Sequence, residues 1–255
     1  MTSHQTDEDN DMNETVFPDY LKPALERLEH ARAAHLDNAR RIDETTLAIS
    51  RATEQKAELE QENGSDASAW RRAFRTGGAV VTDELKKSHI ERVARRELAK
   101  ECENLAEILN VERDRLKGNC DSTAKEYRKA HYALLSQYAD KELDKAMRES
   151  CTALVRAMKL KALVQDNPLA NTAGIEGYVE PEKAVMQQVK SWLEAQVKAC
   201  HIRLADEPVL YQTGLSADTL PHMDYGVAGS FARNQVWHAK LQEREADLKT
   251  RGLLQ

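Results

Sequence analysis

The sequence predicts an all-α protein, an elongated hairpin or bundle of long helices followed by a less regular helical C-terminal part. Three observations lead there. Between Pro23 and Pro168 there is no proline and there are only four glycines, although proline is the costliest residue inside a helix. Across the same span apolar and small residues recur in the alternating spacing of four and three that lines a coiled-coil or bundle seam. Aromatic residues make up 5% and charged residues 31% of the 255, which suits thin seams between long helices better than a thick globular centre.

The elements come in order. Residues 1–16 open as "MTSHQTDEDNDMNE", with Asp7, Glu8, Asp9, Asp11 and Glu14 and no Lys or Arg; with no hydrophobic period, this reads as a disordered acidic tail. The long-helix region is 17–166. Order begins near "VFPDYLKPALERLEH", where Asp19 can cap a helix and Pro23 is tolerable in its first turn. The seam then reads Leu21, Leu25, Leu28, Arg32, His35, Ala39, Ile42, Thr46, Ile49, Thr53. "ENGSDAS" is expected to end this helix at Gly64, a short piece carries Trp70 and Phe74, and "RTGGAVVTDE" turns the chain. Thr82 or Asp83 can cap the next helix. Its seam runs Ile90, Ala94, Leu98, Cys102, Leu105, Leu109, Leu116, Cys120, Thr123, Tyr127, Ala130, Leu134, and continues Leu135, Ala139, Leu143, Met147, Cys151, Leu154, Met158. Within it, "LKGNCDSTAKE" reads as a junction between two antiparallel helices, with Gly118 at a helix end and Asp121 or Ser122 as a new cap. A kink in one longer helix is the alternative.

A connector is expected at 167–182, inside "NPLANTAGIEGYVEPEK", the longest stretch that cannot be ordinary helix. The C-terminal helical interaction region is 183–255. A helix starts at Pro181 and runs to about Leu204, "ADEPVLYQTGLSADTLPHMDYGVAGS" is mostly loop and short turns, and "FARNQVWHAKLQEREADLKTRG" forms a last helix that Gly252 can close.

No catalytic chemistry survives inspection. "STAK" at Ser122–Lys125 matches S-x-x-K, but the S-D-N and later K-T-G that this nucleophile motif requires are missing. A carboxylate-bridged metal pair in a bundle needs Glu-x-x-His, and no histidine here has an acid three residues before it. There is no H-E-x-x-H and no zinc-like Cys/His spacing. The "TGGAVVTDEL" turn lacks a P-loop Lys and places two acids where a phosphate would sit. The basic residues of "HIERVARRELAKE" alternate with Glu and lack stacking aromatics, so they read as surface ion pairs, with no nucleic acid implied. Net charge is −6, of which the acidic start carries all but about −1, favouring neither nucleic acid nor an anionic membrane. Catalytic, cofactor-binding and metal residues are all expected to be none. The four scattered cysteines, Cys102, Cys120, Cys151 and Cys200, fit reduced thiols in a soluble protein inside the cell. No run of residues is apolar enough to cross a membrane.

Long helices with thin seams need partners, because a small-residue seam buries little area per turn. The aromatic and large apolar residues of the C-terminal part are the expected anchors: Met186, Trp192, Leu220, Met223, Tyr225, Phe231 and Trp237. A small local core is the alternative use of the same residues.

One resemblance is specific. The ordered words "HIERVARREL", "RLKGNCDSTAKEYRKAH", "LVRAM", "NPLANTAG", "GYVEPEKAVMQQVKS", "TGLSADTLPHMDY" and "RGLLQ", spread from about Tyr20 to the end, closely resemble the capsid size determination (Sid) family of satellite bacteriophages. The acidic first 14 residues look like an extension of that pattern. The resemblance implies a helical external scaffold whose copies join into an icosahedral cage outside a helper phage's procapsid. It implies two partners, the helper's major capsid protein and further copies of the chain, and a place in the host cytoplasm on the outer surface of procapsids. It implies no catalysed reaction and no cofactor. The other reading is a helical regulatory binder of a satellite phage acting on host transcription machinery.

Overall fold

The computed structural model describes residues 17–167, 179–227 and 229–254. Among them are six α-helices and no strand: α1 (Lys22–Thr76), α2 (Asp83–Ser150), α3 (Thr152–Gln165), α4 (Pro181–Ala199), α5 (Pro208–Thr213) and α6 (Phe231–Thr250). The all-α expectation holds. The expected acidic tail and most of the expected connector lie outside the described residues. Two compact units share α1 and α2: Met1–Leu28 with Lys129–Asp218, and Glu29–Arg128 with Thr219–Gln255.

Two expected helix ends are corrected. α1 runs 55 residues straight through Gly64, where a built Cβ would meet nothing; the glycine lowers helix propensity there without breaking the hydrogen-bond ladder. α2 runs 68 residues through Gly118. Ser122, one of the two expected caps, bonds backward instead: its Oγ donates to Gly118 O at 3.1 Å, the back-bond that Ser and Thr make inside helices. α2 is interrupted further on, at Cys151, before α3 begins. At the other end of α1, Asp19 pairs with Lys22 at 2.6 Å and caps no backbone donor. Thr82 caps α2, its Oγ1 accepting from Leu85 N at 3.3 Å.

In the second unit α1 and α2 form an antiparallel hairpin. Arg41 meets Glu112, Lys56 meets Glu103, Asp66 meets Arg95, and Trp70 Nε1 donates to Leu85 O at 3.0 Å, so partner numbers fall on one helix as they rise on the other. The turn between them needs left-handed backbone at Gly78, φ 66°, and Ala79, φ 63°. Inward positions in α1 recur about every seven residues through Ala24, Ala31, Asn38 with the buried Ala39, Thr45 and Ala52, with Leu21, Leu28, His35, Ile42 and Ile49 between them. The expected seam had the second set and Ala39 right; elsewhere it placed the first set one residue late, at Arg32, Thr46 and Thr53, which are exposed. It had followed the larger Leu25, whereas small side chains take the positions where two helices approach closely. At the start of α2 the seam is Ser88, Arg92, Arg95 and Ala99, and the expected Ile90 and Leu98 are 66% and 56% exposed. Polar contacts set this register: Arg92 lies 5.2 Å over the Trp70 ring and Arg95 is tied to Asp66. From Leu109 to Leu134 the expected positions are inside.

A third helix, α6, lies antiparallel along α2. Leu241 and Leu248 join Val111 in one core cluster, flanked by Arg244–Asp114 at 2.5 Å, Arg115–Glu245 at 2.6 Å and Arg251–Glu107 at 2.6 Å. Gly252, φ 72°, turns the chain so that Leu253 N reaches Leu248 O at 2.9 Å and Leu253 and Leu254 return to that cluster, a glycine-closed helix end. In the first unit α3 packs on α4, with Ala162, Pro181 and Val185 buried and Lys159 bonded to Glu182 at 2.5 Å.

Candidate interaction surfaces

The stretch Thr219–Tyr225, "TLPHMDY", contains three of the seven expected anchors, and all three face inward. Leu220 and Met223 are 8% and 5% exposed, and the Leu220 amide donates to Met223 Sδ at 2.9 Å. Tyr225 packs against Ile42, Leu116 and Cys120, beneath Lys117, whose Nζ lies 5.8 Å from the ring centroid. Burial first, then the nearby Cys120 and Asp43, raises the Tyr225 hydroxyl above its ordinary range.

Histidines hold this strap. His35, fully buried in α1, donates from Nε2 to Pro221 O at 2.8 Å, and its Nδ1 meets the Thr123 hydroxyl at 3.0 Å. His222 is in the left-handed region, φ 60°, a conformation costing a non-glycine residue about 1 kcal/mol. It bonds Asp43 Oδ1 at 2.8 Å through Nε2 and accepts from the Tyr225 hydroxyl at Nδ1. Arg128–Asp224 at 3.2 Å adds a tie at the edge. In the first unit, His131 Nε2 donates to Thr213 O at 3.0 Å in the same manner. No local spacing announces these clamps, because each joins residues far apart in sequence. Sequence reasoning placed His35 on the seam and did not find its partner.

The other expected anchors divide. Trp237 is half-buried in α6, and its Nε1 would lie 3.4 Å from a Cβ built on Gly118. Phe231, at the start of α6, is 79% exposed; Met186 and Trp192 on α4 are 60% and 56% exposed. One side of α4 packs on α3 through Pro181 and Val185, and beside it runs a stripe of Met186, Val189, Leu193 and Val197, of which Val189 is half-buried, Leu193 44% and Val197 72% exposed.

The described residues that would be candidates for catalysis are not arranged as a nucleophile site. Cys120, fully buried, has its thiol pushed up to about 11, mainly by burial and then by Asp121 and Asp43, the opposite of an activated nucleophile. Ser122, of the S-x-x-K match, is exposed and donates its proton to Gly118 O. No group of three or more His, Cys, Asp or Glu among the described residues could hold a metal ion. None of the described helices is long and apolar enough to cross a membrane.

No family model matches the chain. It is 62% identical over 243 residues to Glycoprotein 3 of Enterobacteria phage P4, covering 95% of this chain and 100% of that protein. It also matches, at 62% identity and a TM-score of 0.74, a chain of the satellite phage P4 procapsid including size determination (Sid) protein, over 92% of this chain and 100% of that one. The chain belongs to the Sid family. The resemblance carried by the ordered sequence words is thereby borne out, and so is the helical architecture that a Sid protein was expected to have. Neither similarity favours the reading of a regulator of host transcription.

Proposed function

We propose that this chain is an external scaffold for capsid size determination. Its copies join into a cage around a helper phage procapsid and redirect the helper's major capsid protein into a smaller icosahedral shell that fits the satellite genome. The observation that carries the reading is 62% identity, over 92% of this chain, to a chain of the phage P4 procapsid. The chain works by contact, with no reaction and no cofactor, on the outer surface of procapsids in the host cytoplasm, and it engages neither nucleic acid nor membrane.

The physical task is a curvature constraint. Shells of different size differ by small free energies per subunit, so many weak, repeated contacts in fixed geometry shift the choice between them. The hairpin of α1 and α2 supplies distance. Met186, Trp192 and Phe231, being exposed, are the anchors placed to meet capsid protein or a further copy; Leu220, Met223, Tyr225 and Trp237 support them by holding the strap and α6 in position. The segment between α3 and α4 serves as a joint between 17–166 and 183–255, and shortening it while the helices still form should abolish small shells. Electron microscopy of shells made with the helper's capsid protein and internal scaffold tests the whole reading. Uniformly smaller shells with added outer density are expected; normal-sized bare shells, beside a susceptible control capsid, would overturn it.

A further inference from the structure

The outward side of α4 has a pattern that the packing of one chain leaves unused. Met186, Val189, Leu193 and Val197 recur at the spacing of one helix stripe, beside the face that packs on α3 and exposed at Met186, Leu193 and Val197. Along one edge of that stripe stand Lys190 and Glu194, 64% and 60% exposed in their side chains and only 4.0 Å apart as an intrahelical pair. An exposed pair of this kind contributes little within its own helix.

The same two residues carry information about orientation. When two copies of one helix pack antiparallel about a twofold axis, like edges face each other, and a residue early on one helix meets a residue late on the other. A twofold centred between Val189 and Leu193 sets Met186 opposite Val197 and Lys190 opposite Glu194, twice. A parallel pairing brings opposite edges together and forms neither ion pair. The stripe and its charges are therefore self-complementary in one arrangement. We propose that α4 is a homotypic contact, the stripe of one copy lying antiparallel on the stripe of a second, with Lys190 of each against Glu194 of the other. The proposal deepens the scaffold reading by naming a surface through which copies join.

The apolar part of the stripe exposes on the order of 300 Å² per copy, well under the ~800 Å² per partner of a stable interface. The contact is accordingly weak by itself and becomes effective when repeated around a closed assembly.

The test uses the full chain in sedimentation velocity from micromolar to near-millimolar concentration, at low salt. Parent protein should show concentration-dependent dimerisation. Val197→Asp should weaken it at least tenfold, and Lys190→Glu or Glu194→Lys alone about fivefold. An equimolar mixture of the two charge variants should recover parental affinity, because each then faces its complement; a merely folding-related defect would not be rescued by mixing. Circular dichroism confirms that helix content is unchanged. A monomeric parent, unaffected variants, or a mixture no better than its components would overturn the proposal. Small-shell formation is scored separately. Loss of small shells by Val197→Asp with dimerisation unchanged assigns the stripe to the capsid protein and overturns homotypic pairing. Dimerisation as expected, with no small shells even from the parent, leaves the pairing standing and removes the scaffold reading.

Discussion

Gly118 offers a test in which two accounts of α2 predict opposite signs. It lies inside the helix, its φ is not positive, and a Cβ built there meets Trp237 Nε1 at 3.4 Å and Cδ1 at 4.0 Å. The nearer distance is ordinary packing, so Gly118→Ala loses little to contact and gains the helix propensity of alanine, up to about 1 kcal/mol. The net expectation is a stabilisation of about 0.5–1 kcal/mol, or roughly 1–4 °C in Tm for a chain of this size. Gly118→Val reverses the sign. Its γ-methyl groups project past Cβ into the indole, and displacing Trp237 from between α2 and α6 costs about 1–3 kcal/mol as an overpacked core. Thermal unfolding followed by circular dichroism at 222 nm measures both. Had the helix ended at residue 118 with glycine in the left-handed conformation, alanine would instead cost about 1–2 kcal/mol. A Gly118→Ala variant that melts several degrees below the parent would refute the continuous helix.

Three further outcomes are expected. His35→Leu keeps volume but removes the donor to Pro221 O, while Thr123 falls back on Asn119 O. It should lose about 1–2 kcal/mol and speed hydrogen exchange of residues 219–226; unchanged exchange there would show that His35 does not hold the strap. Burial alone would raise the Asp114 carboxyl, but hydrogen bonds from Lys117 and Arg244 outweigh it and hold it below its ordinary value. Because the folded value is depressed, its contribution is complete above the unfolded value and lost as pH falls below about 4. Urea midpoints of Asp114→Asn should therefore decline less steeply than the parent's from pH 5 to pH 3, and parallel curves would contradict the assignment. With Cys200 exposed and Cys120 buried and raised to about 11, iodoacetamide at pH 8 should label Cys200 in the native protein and Cys120 only after unfolding, as read by peptide mass spectrometry.

The long helices were legible because their signals are local: a proline-free span, caps such as Thr82, and a closing Gly252. The seam was legible where apolar residues carry it, as at Leu109–Leu134, and not where Arg92 and Arg95 do, because their register depends on Trp70 and Asp66, at least 22 residues away along the chain. Gly64 and Gly118 misled for a related reason. A glycine signals a helix end only when no neighbouring helix stabilises the ladder through it, and propensity is a weak prior against packing. Among the expected anchors, residue type does not tell which side each residue faces. Leu220 and Met223 turn inward because His35 and His222 hold the strap, and no period in the sequence encodes those ties.

The alignment of α1 on α2 bears on how a length is set. If the hairpin slipped by one heptad, about 10 Å at 1.5 Å per residue, every cross-helix tie would be lost. In one direction Lys56 would face Arg96, Arg95 would face Leu59 and Arg41 would face Leu105. In the other they would meet Asn110, Ala73 and Asn119 in turn. Small seam residues alone would tolerate such sliding, since one alanine resembles the next; the sparse charges remove the degeneracy. The hairpin thus behaves as a gauge block with a single permitted setting, and an assembly built from identical copies inherits one unit of length without any copy having to measure it.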